Sequence, residues 1–216
     1  MDREKRKNQR QITDALLLKK VILFLCDNIG SSVSATSIGN ALENSGLLEK
    51  QSKKPSVHTV QAYIEMLLES YFFYEIKRFD IKGKEYLKTL GKYYVVDTGL
   101  RNFLLGIRNR NRGHILENVV YLELIRRGYD VAIGKLDNSE IDFIATSTSE
   151  KIYIQVTESM LSEDVKNREL MPLMKIKDNY EKIILSMDAG HGSFDGIKTI
   201  NVIDWLVYAE TGSVRP

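Results

Sequence analysis

The stretch SEIDFIATSTSEKIYIQVTE (139–158) places two oxygen donors inside apolar runs: Asp142 between Ile141 and Phe143, and Gln155 between Ile154 and Val156. Alternation along a strand puts Tyr153, Gln155 and Thr157 on one face and Ile152, Ile154 and Val156 on the other. If the two runs pair as a hairpin about TSTSE, Asp142 and Gln155 lie side by side. A third donor comes from upstream. Glu117 is followed by Val120, Tyr121 and Leu124 at steps of three, four and seven, so it shares the apolar face of a helix. An acid on such a face must be neutral, paired or bound to metal, because a lone buried carboxylate is costly. Glu117, Asp142 and Gln155, with a backbone carbonyl and waters, make a donor set suited to Mg2+. A metal so held activates water and neutralises charge developing on a phosphate in transfer.

Elements that could position these residues are legible around them. A helix is expected from about His114 to Arg127, followed by strands YDVAIGKL, EIDFIA and KIYIQVTE. Next come a helix over 162–174, opened by Ser162 with acids in its first turn, strand KIILSM, and the strand–helix pair GIKTI and VIDWLVYAE. That order predicts a mixed sheet flanked by helices. Within it, Asp142 could instead cap a turn or pair with Lys135, Glu117 could bond the hairpin backbone, and Gln155 could be a plain core amide. Arg168 and Glu169 read as a solvated pair, with the option of lining the same cleft. His191, in GHGSFDG, reads as a loop residue without a role.

The first half is built differently. Residues 12–28 form one periodic helix ending at Asn28–Gly30; Ser34 caps a second to about Leu42, and Ser56 caps a third with Val57, Val60, Ile64, Leu67 and Leu68 on one face. FFYEIKRF and KYYVVD then read as two strands around a long basic turn. Three helices and a two-stranded wing make a winged helix-turn-helix, a shape that often reads DNA. The outward residues of the third helix, His58, Thr59, Gln61, Glu65 and Glu69, include no Lys or Arg. Base readout ordinarily needs basic groups to anchor the phosphate backbone first. The expectation is therefore weak, sequence-indifferent, salt-sensitive DNA contact through loop cations: Lys53, Lys54, Lys82, Lys84, Arg108, Arg110 and Arg112. The overall class is α/β, or α+β taken as a whole, with a domain over 1–96, a linker with a short Asp97-capped helix over 97–112, and a second domain over 113–216.

Composition narrows the functional classes. Residues 1–92 carry 16 Lys+Arg against 11 Asp+Glu, a net of +5, and residues 93–216 carry 15 against 18, a net of −3. The balance falls short of a strongly basic nucleic-acid binder. The single cysteine, Cys26 in VILFLCDN, reads as a small buried hydrophobe. The three histidines have no zinc spacing. No GxxxxGK[ST] or GxGxxG occurs, so no nucleotide is expected in this chain. The charged start MDREKRKNQRQ lacks an apolar signal core and no run reaches the roughly 18 apolar residues of a membrane span, so a cytoplasmic location is expected.

Two resemblances sharpen these expectations. Helix-borne Glu117, then Asp142, then Gln155-Val156-Thr157 resembles the motif of the PD-(D/E)XK nuclease superfamily, with Thr157 where that motif has lysine. The resemblance implies a catalytic set of Glu117, Asp142 and Gln155, with Lys135 or Lys151 as the candidates to replace the missing ammonium. A second resemblance covers nearly the whole chain. KYYVVDTGLRN, GHILENVVYLELIRRGYDV, EIDFIA with IYIQVT, NRELMPLMKIKDNYEKIIL and VIDWL together resemble the C-terminal region of a prokaryotic AAA+ ATPase family. In that family a winged helix and a restriction-endonuclease-like domain follow the ATPase module, and the Gln–Val pair at 155–156 is typical. The resemblance implies the back half of such a protein, nuclease-like in fold, inactive or feebly active, serving DNA handling or partner docking and holding Mg2+ weakly. A Mg-dependent DNA endonuclease and a purely structural interaction domain are the alternatives.

Overall fold

Asp14 starts the first helix. Its carboxylate accepts the Leu17 amide at 2.8 Å, satisfying an orphan donor of Ala15–Asp27 (α1). The computed structural model describes residues 14–44, 55–87, 91–107 and 111–208. Leu17, Val21 and Leu25 recur at four-residue steps on the buried face of α1, and Gly30 at φ 71° turns the chain away. Ser32–Val33 (β1) leads to Ala35–Asn44 (α2), where Ser34 Oγ accepts the Ser37 amide. Val57–Glu69 (α3) is capped by Ser56 on the Thr59 amide. Its buried face is Val60, Tyr63, Ile64 and Leu67. Val57, expected on that face, is the first helical residue and stays exposed. Tyr63 is buried instead, and its hydroxyl accepts the Asp14 amide at 2.9 Å.

Tyr71, at φ 56°, ends the helical path and lets Phe73–Ile76 (β2) begin. Across the expected basic turn the chain makes two further strands, Arg78–Asp80 (β3) and Glu85–Tyr86 (β4), before Gly91–Val95 (β5). The first unit carries a three-stranded sheet in the order β1-β5-β2, with Ser32 opposite Lys92. Asp97 caps Thr98–Leu105 (α4), accepting the Gly99 amide. From α4, the fully buried Arg101 donates Nε–H to the Cys26 carbonyl at 2.8 Å.

The basic turn is not a free wing. The first unit runs to Glu75 and resumes at Gly91, whereas Ile76 onward and the chain after Arg108 form the second unit. Where a domain over 1–96, a linker over 97–112 and a second domain over 113–216 were expected, the two units interleave in sequence. β3 is the cause, since its backbone groups are satisfied by parallel pairing with the second unit's sheet, Arg78 opposite Ile133 and Asp80 opposite Lys135. Phe79 and Ile81 pack on that unit's core, which includes Leu136, Ile141, Ile144, Tyr153, Leu173 and Ile184.

The second unit continues with Arg112–Arg126 (α5), Asp130–Leu136 (β6), Ser139–Thr146 (β7), Lys151–Val156 (β8) and Glu163–Met174 (α6). Glu181–Ser186 (β9), Gly192–Phe194 (β10), Ile197–Asn201 (β11) and Val202–Tyr208 (α7) complete it. Its eight-stranded mixed sheet has the order β10-β11-β9-β8-β7-β6-β3-β4. β6–β7 and β7–β8 are antiparallel, whereas β3–β6, β8–β9 and β9–β11 are parallel. A parallel step needs a crossover, and α6 supplies it between β8 and β9. Gly134 has no substitute in β6, because a Cβ there would lie 2.8 Å from Ile141 Cβ. The glycine-rich loop holds the unexpected strand β10, whose hairpin with β11 turns on Asp195 and Gly196, both at positive φ. His191 lies beside it, 3.3 Å from Asp204.

No helix among the described residues is long and apolar enough to cross a membrane. The buried Cys26 thiol is pushed up to about 11 by desolvation, against the opposing charge of Arg101. Being the sole cysteine, it reports on α1 directly. A disulfide reagent at pH 8 should leave the native protein unmodified and titrate one thiol only as denaturant unfolds the first unit; complete reaction on mixing with native protein would contradict this packing.

Candidate functional site

The β7–β8 ladder pairs Thr146 with Lys151, Ala145 with Ile152, Ile144 with Tyr153 and Phe143 with Ile154, and then changes character. At the next position two side chains do the work of the backbone. The Asp142 amide donates to Gln155 Oε1 at 2.7 Å, and the Val156 amide donates to Asp142 Oδ2 at 2.8 Å. Val156 also keeps its place in the parallel pairing with β9, opposite Leu185. The two polar residues thus lock each other at the end of the hairpin, as the alternation predicted.

A cleft of about 630 Å3 opens there, lined in part by Glu117, Glu140, Asp142, Gln155, Thr157 and Glu158, with Arg168 and Glu169 from α6. Glu117 is buried on α5 with Val120, Tyr121 and Leu124, on the face its spacing implied. Glu169 was read as half of a solvated pair; it is buried, with only 6% of its surface exposed. Its Oε2 accepts Gln155 Nε2–H at 3.2 Å, and its Oε1 accepts both Nε and Nη2 of Arg168 at 3.0 and 2.7 Å. A signal for it was present. Glu169 is followed by Pro172, Leu173 and Ile176 at the same steps of three, four and seven that singled out Glu117, and all three are buried.

Other expected residues lie elsewhere. Thr157 lines the cleft and is buried, its amide bonded to the Leu185 carbonyl. Neither Lys135 nor Lys151 lines the cleft. Lys135 sits in register between Asp80 and Glu140. Lys151 lies over the rings of Tyr153, Tyr180 and Phe79 at 4.9, 5.2 and 5.8 Å, where burial holds its ammonium below the usual lysine range against the pull of Asp178. Of the expected phosphate contacts, Lys82 is held by both oxygens of Asp137 at 2.7 Å, and Arg112 meets Glu158 at 3.0 Å. Lys84 is exposed at the turn, and Lys53, Lys54, Arg108 and Arg110 fall outside the described residues.

The donor set does not fit a tightly held hard cation as it stands. Gln155 Oε1 and Asp142 Oδ2 already accept backbone amides, and Glu169 is clamped by Arg168. Among the described residues, no three His, Cys, Asp or Glu side chains converge to hold a metal ion. A divalent ion would have to displace or share these hydrogen bonds.

Residues 3–111 match a family described as Domain of unknown function (DUF8612). The chain belongs to this family. It is 42% identical over 197 residues to an uncharacterized protein of Haemophilus influenzae, a match covering 91% of this chain and 47% of that protein. It is 32% identical over 174 residues to an uncharacterized protein of Methanocaldococcus jannaschii, covering 78% and 36% respectively. The chain therefore spans less than half the length of either relative, and both matches extend past residue 111 into the unit that holds the cleft, since 174 residues cannot fit within the first 111.

The amide of Gln155 accepts the Asp142 backbone N–H on one side and donates to the Glu169 carboxylate on the other. Gln155→Glu puts a carboxylate against Glu169 and removes a donor, so it should cost about 1–3 kcal/mol of stability at neutral pH. A carboxyl whose folded pKa is raised destabilises increasingly as pH rises from its unfolded pKa to its folded one, and the deficit vanishes once both states are protonated. Urea unfolding should thus show the loss at pH 7 and recovery toward about pH 4. Equal stability of variant and wild type at pH 7 would refute the bridging role.

Proposed function

We propose that this chain is the C-terminal module of a longer AAA+-type ATPase, in which a winged helix-turn-helix precedes a degenerate PD-(D/E)XK nuclease-like domain. The module handles DNA or docks a partner, and phosphodiester cleavage by it is absent or feeble. One observation carries the reading: the Asp142–Gln155 interlock, joined in one cleft by Glu117, has Thr157 where the superfamily motif requires lysine. The acid-and-hairpin framework is retained while the ammonium that would stabilise a phosphoryl transition state is gone. Loss of one such group costs about 10²–10³ in rate. The hydrogen bonds already made by Asp142 and Gln155 make any Mg2+ binding weak, in competition with a strongly hydrated free ion.

Other observations support the wider reading. The first three helices and the small sheet of the first unit support the winged-helix reading, although the basic turn belongs to the second unit's sheet. The relatives have room for a further module, given that the chain spans under half of each. DNA contact through Lys82 or Arg112 would exchange their partners Asp137 and Glu158 for phosphates, which keeps it weak and salt-sensitive. A Mg-dependent endonuclease is the second reading, favoured by the presence of a cation, Arg168, on the cleft wall.

Supercoiled and branched DNA incubated over Mg2+ and Mn2+ series tests both readings. Wild type should show no cleavage or a trace, whereas Thr157→Lys should gain metal-dependent nicking. Robust cleavage by wild type that disappears in Asp142→Ala would establish the endonuclease instead. Silence from wild type and Thr157→Lys alike would leave the docking role.

A further inference from the structure

Arg168 is the only Lys or Arg among the described residues lining the cleft, whose wall also carries the carboxylates of Glu117, Glu140, Asp142, Glu158 and Glu169. An arginine drawn in merely to neutralise them would be free to move among them. This one is held from behind. Its Nε and Nη2 grip one oxygen of the buried Glu169, whose other oxygen is held by Gln155. Gln155 is in turn fixed by the Asp142 backbone. The Arg168 side chain as a whole remains 70% exposed. A buried carboxylate with both oxygens engaged, holding an exposed guanidinium by one edge, is a support for an arginine that presents its remaining donors to a second anion. Guanidinium forks match phosphate oxygens in geometry as well as charge.

We propose that Arg168, braced by Glu169, is the phosphate-oxyanion contact of this cleft, supplying from α6 the positive charge that Thr157, just past the end of β8, cannot supply. Glu169 is the positioning residue. The proposal deepens the DNA-handling reading above and rests on it for the identity of the ligand, a backbone phosphate of DNA. It also accounts for residue 155 being an amide. A carboxylate there would face Glu169 at 3.2 Å and loosen the support, whereas the amide donates to it.

The test uses the full chain and a labelled 30-nucleotide DNA, single- and double-stranded, titrated across a salt series, with thermal unfolding of every variant as a folding control. Arg168→Ala should weaken binding about tenfold at low salt and reduce the slope of log affinity against log salt by one phosphate contact, about 0.9 on the duplex and about 0.7 on the single strand. Arg168→Lys should fall between the two. Glu169→Gln separates positioning from bulk charge. Removing a negative charge should tighten binding if only net charge matters, whereas loss of the brace should weaken it. Wild-type affinity in Arg168→Ala, or tighter binding by a folded Glu169→Gln, overturns the proposal. Inorganic pyrophosphate in a thermal-shift assay provides the second arm. If wild type binds no DNA yet pyrophosphate stabilises it and not Arg168→Ala, the DNA-handling reading fails and the oxyanion site stands. If it stabilises neither, or both equally, the site assignment fails.

Discussion

The exchange between Asp142 and Gln155 is the constraint around which the second unit's cleft is arranged. An antiparallel ladder normally satisfies its amides with carbonyls across the strand pair. Beyond Phe143 and Ile154 that role passes to side chains, each of the two residues serving the other strand's backbone. The hairpin can therefore stop pairing without orphaning two amides, and β8 continues alongside β9 to Val156. This is how a cleft can begin in the middle of a well-ordered sheet. It also explains why polar residues stand inside the apolar runs that the sequence displays.

From that pair the order spreads outward by hydrogen bonds. Gln155 is a two-sided connector, its oxygen taking the Asp142 amide and its nitrogen reaching Glu169. A carboxylate could fill the first role but not the second, because it has no proton to donate at neutral pH. The acids along the cleft carry like charges, and the amide between two of them limits their mutual repulsion. Arg168 offsets some of the rest. The resulting site is lined by carboxylates and one guanidinium, and Asp142 Oδ2, Gln155 Oε1 and both Glu169 oxygens accept the protein's own donors.

The scaffold keeps this geometry by burying the other faces of the same elements. Tyr121 of α5 stacks on Phe143 of β7, next to Asp142, with ring centroids 6.2 Å apart. Glu123, also on α5, is held by Arg126 and Arg127, whose hydrogen bonds keep its carboxyl below the usual range. Arg127 reaches α7 as well, lying 3.8 Å over the Trp205 ring and donating to the Trp205 carbonyl. α5 is thereby pinned to the sheet on one side and to the closing helix on another, so Glu117 is delivered by a rigid element. On the far edge, β3 adds a parallel strand to β6, and Phe79 and Ile81 enter the core.

The sequence by itself determined the local elements and the central pair. Caps at Ser34, Ser56 and Asp97, the burial of Glu117 among Val120, Tyr121 and Leu124, and the juxtaposition of Asp142 with Gln155 all follow from interactions within a few residues or from strand alternation. Such signals are short-ranged and survive without knowledge of what packs where. Tertiary structure alone decided the rest. Whether FDIKGKEYL hangs free or adds strands to another unit depends on an open edge at β6, which no local pattern announces. Whether Lys135 and Lys151 reach the cleft depends on neighbouring strands, and aromatic rings claim Lys151. Glu169 carried the same spacing signal as Glu117, but its adjacency to Arg168 read as a surface ion pair. Only the crossover of α6 against the end of the β7–β8 hairpin brings its carboxylate within hydrogen-bonding distance of Gln155, because the distance between residues 155 and 169 is set by packing and not by the chain between them.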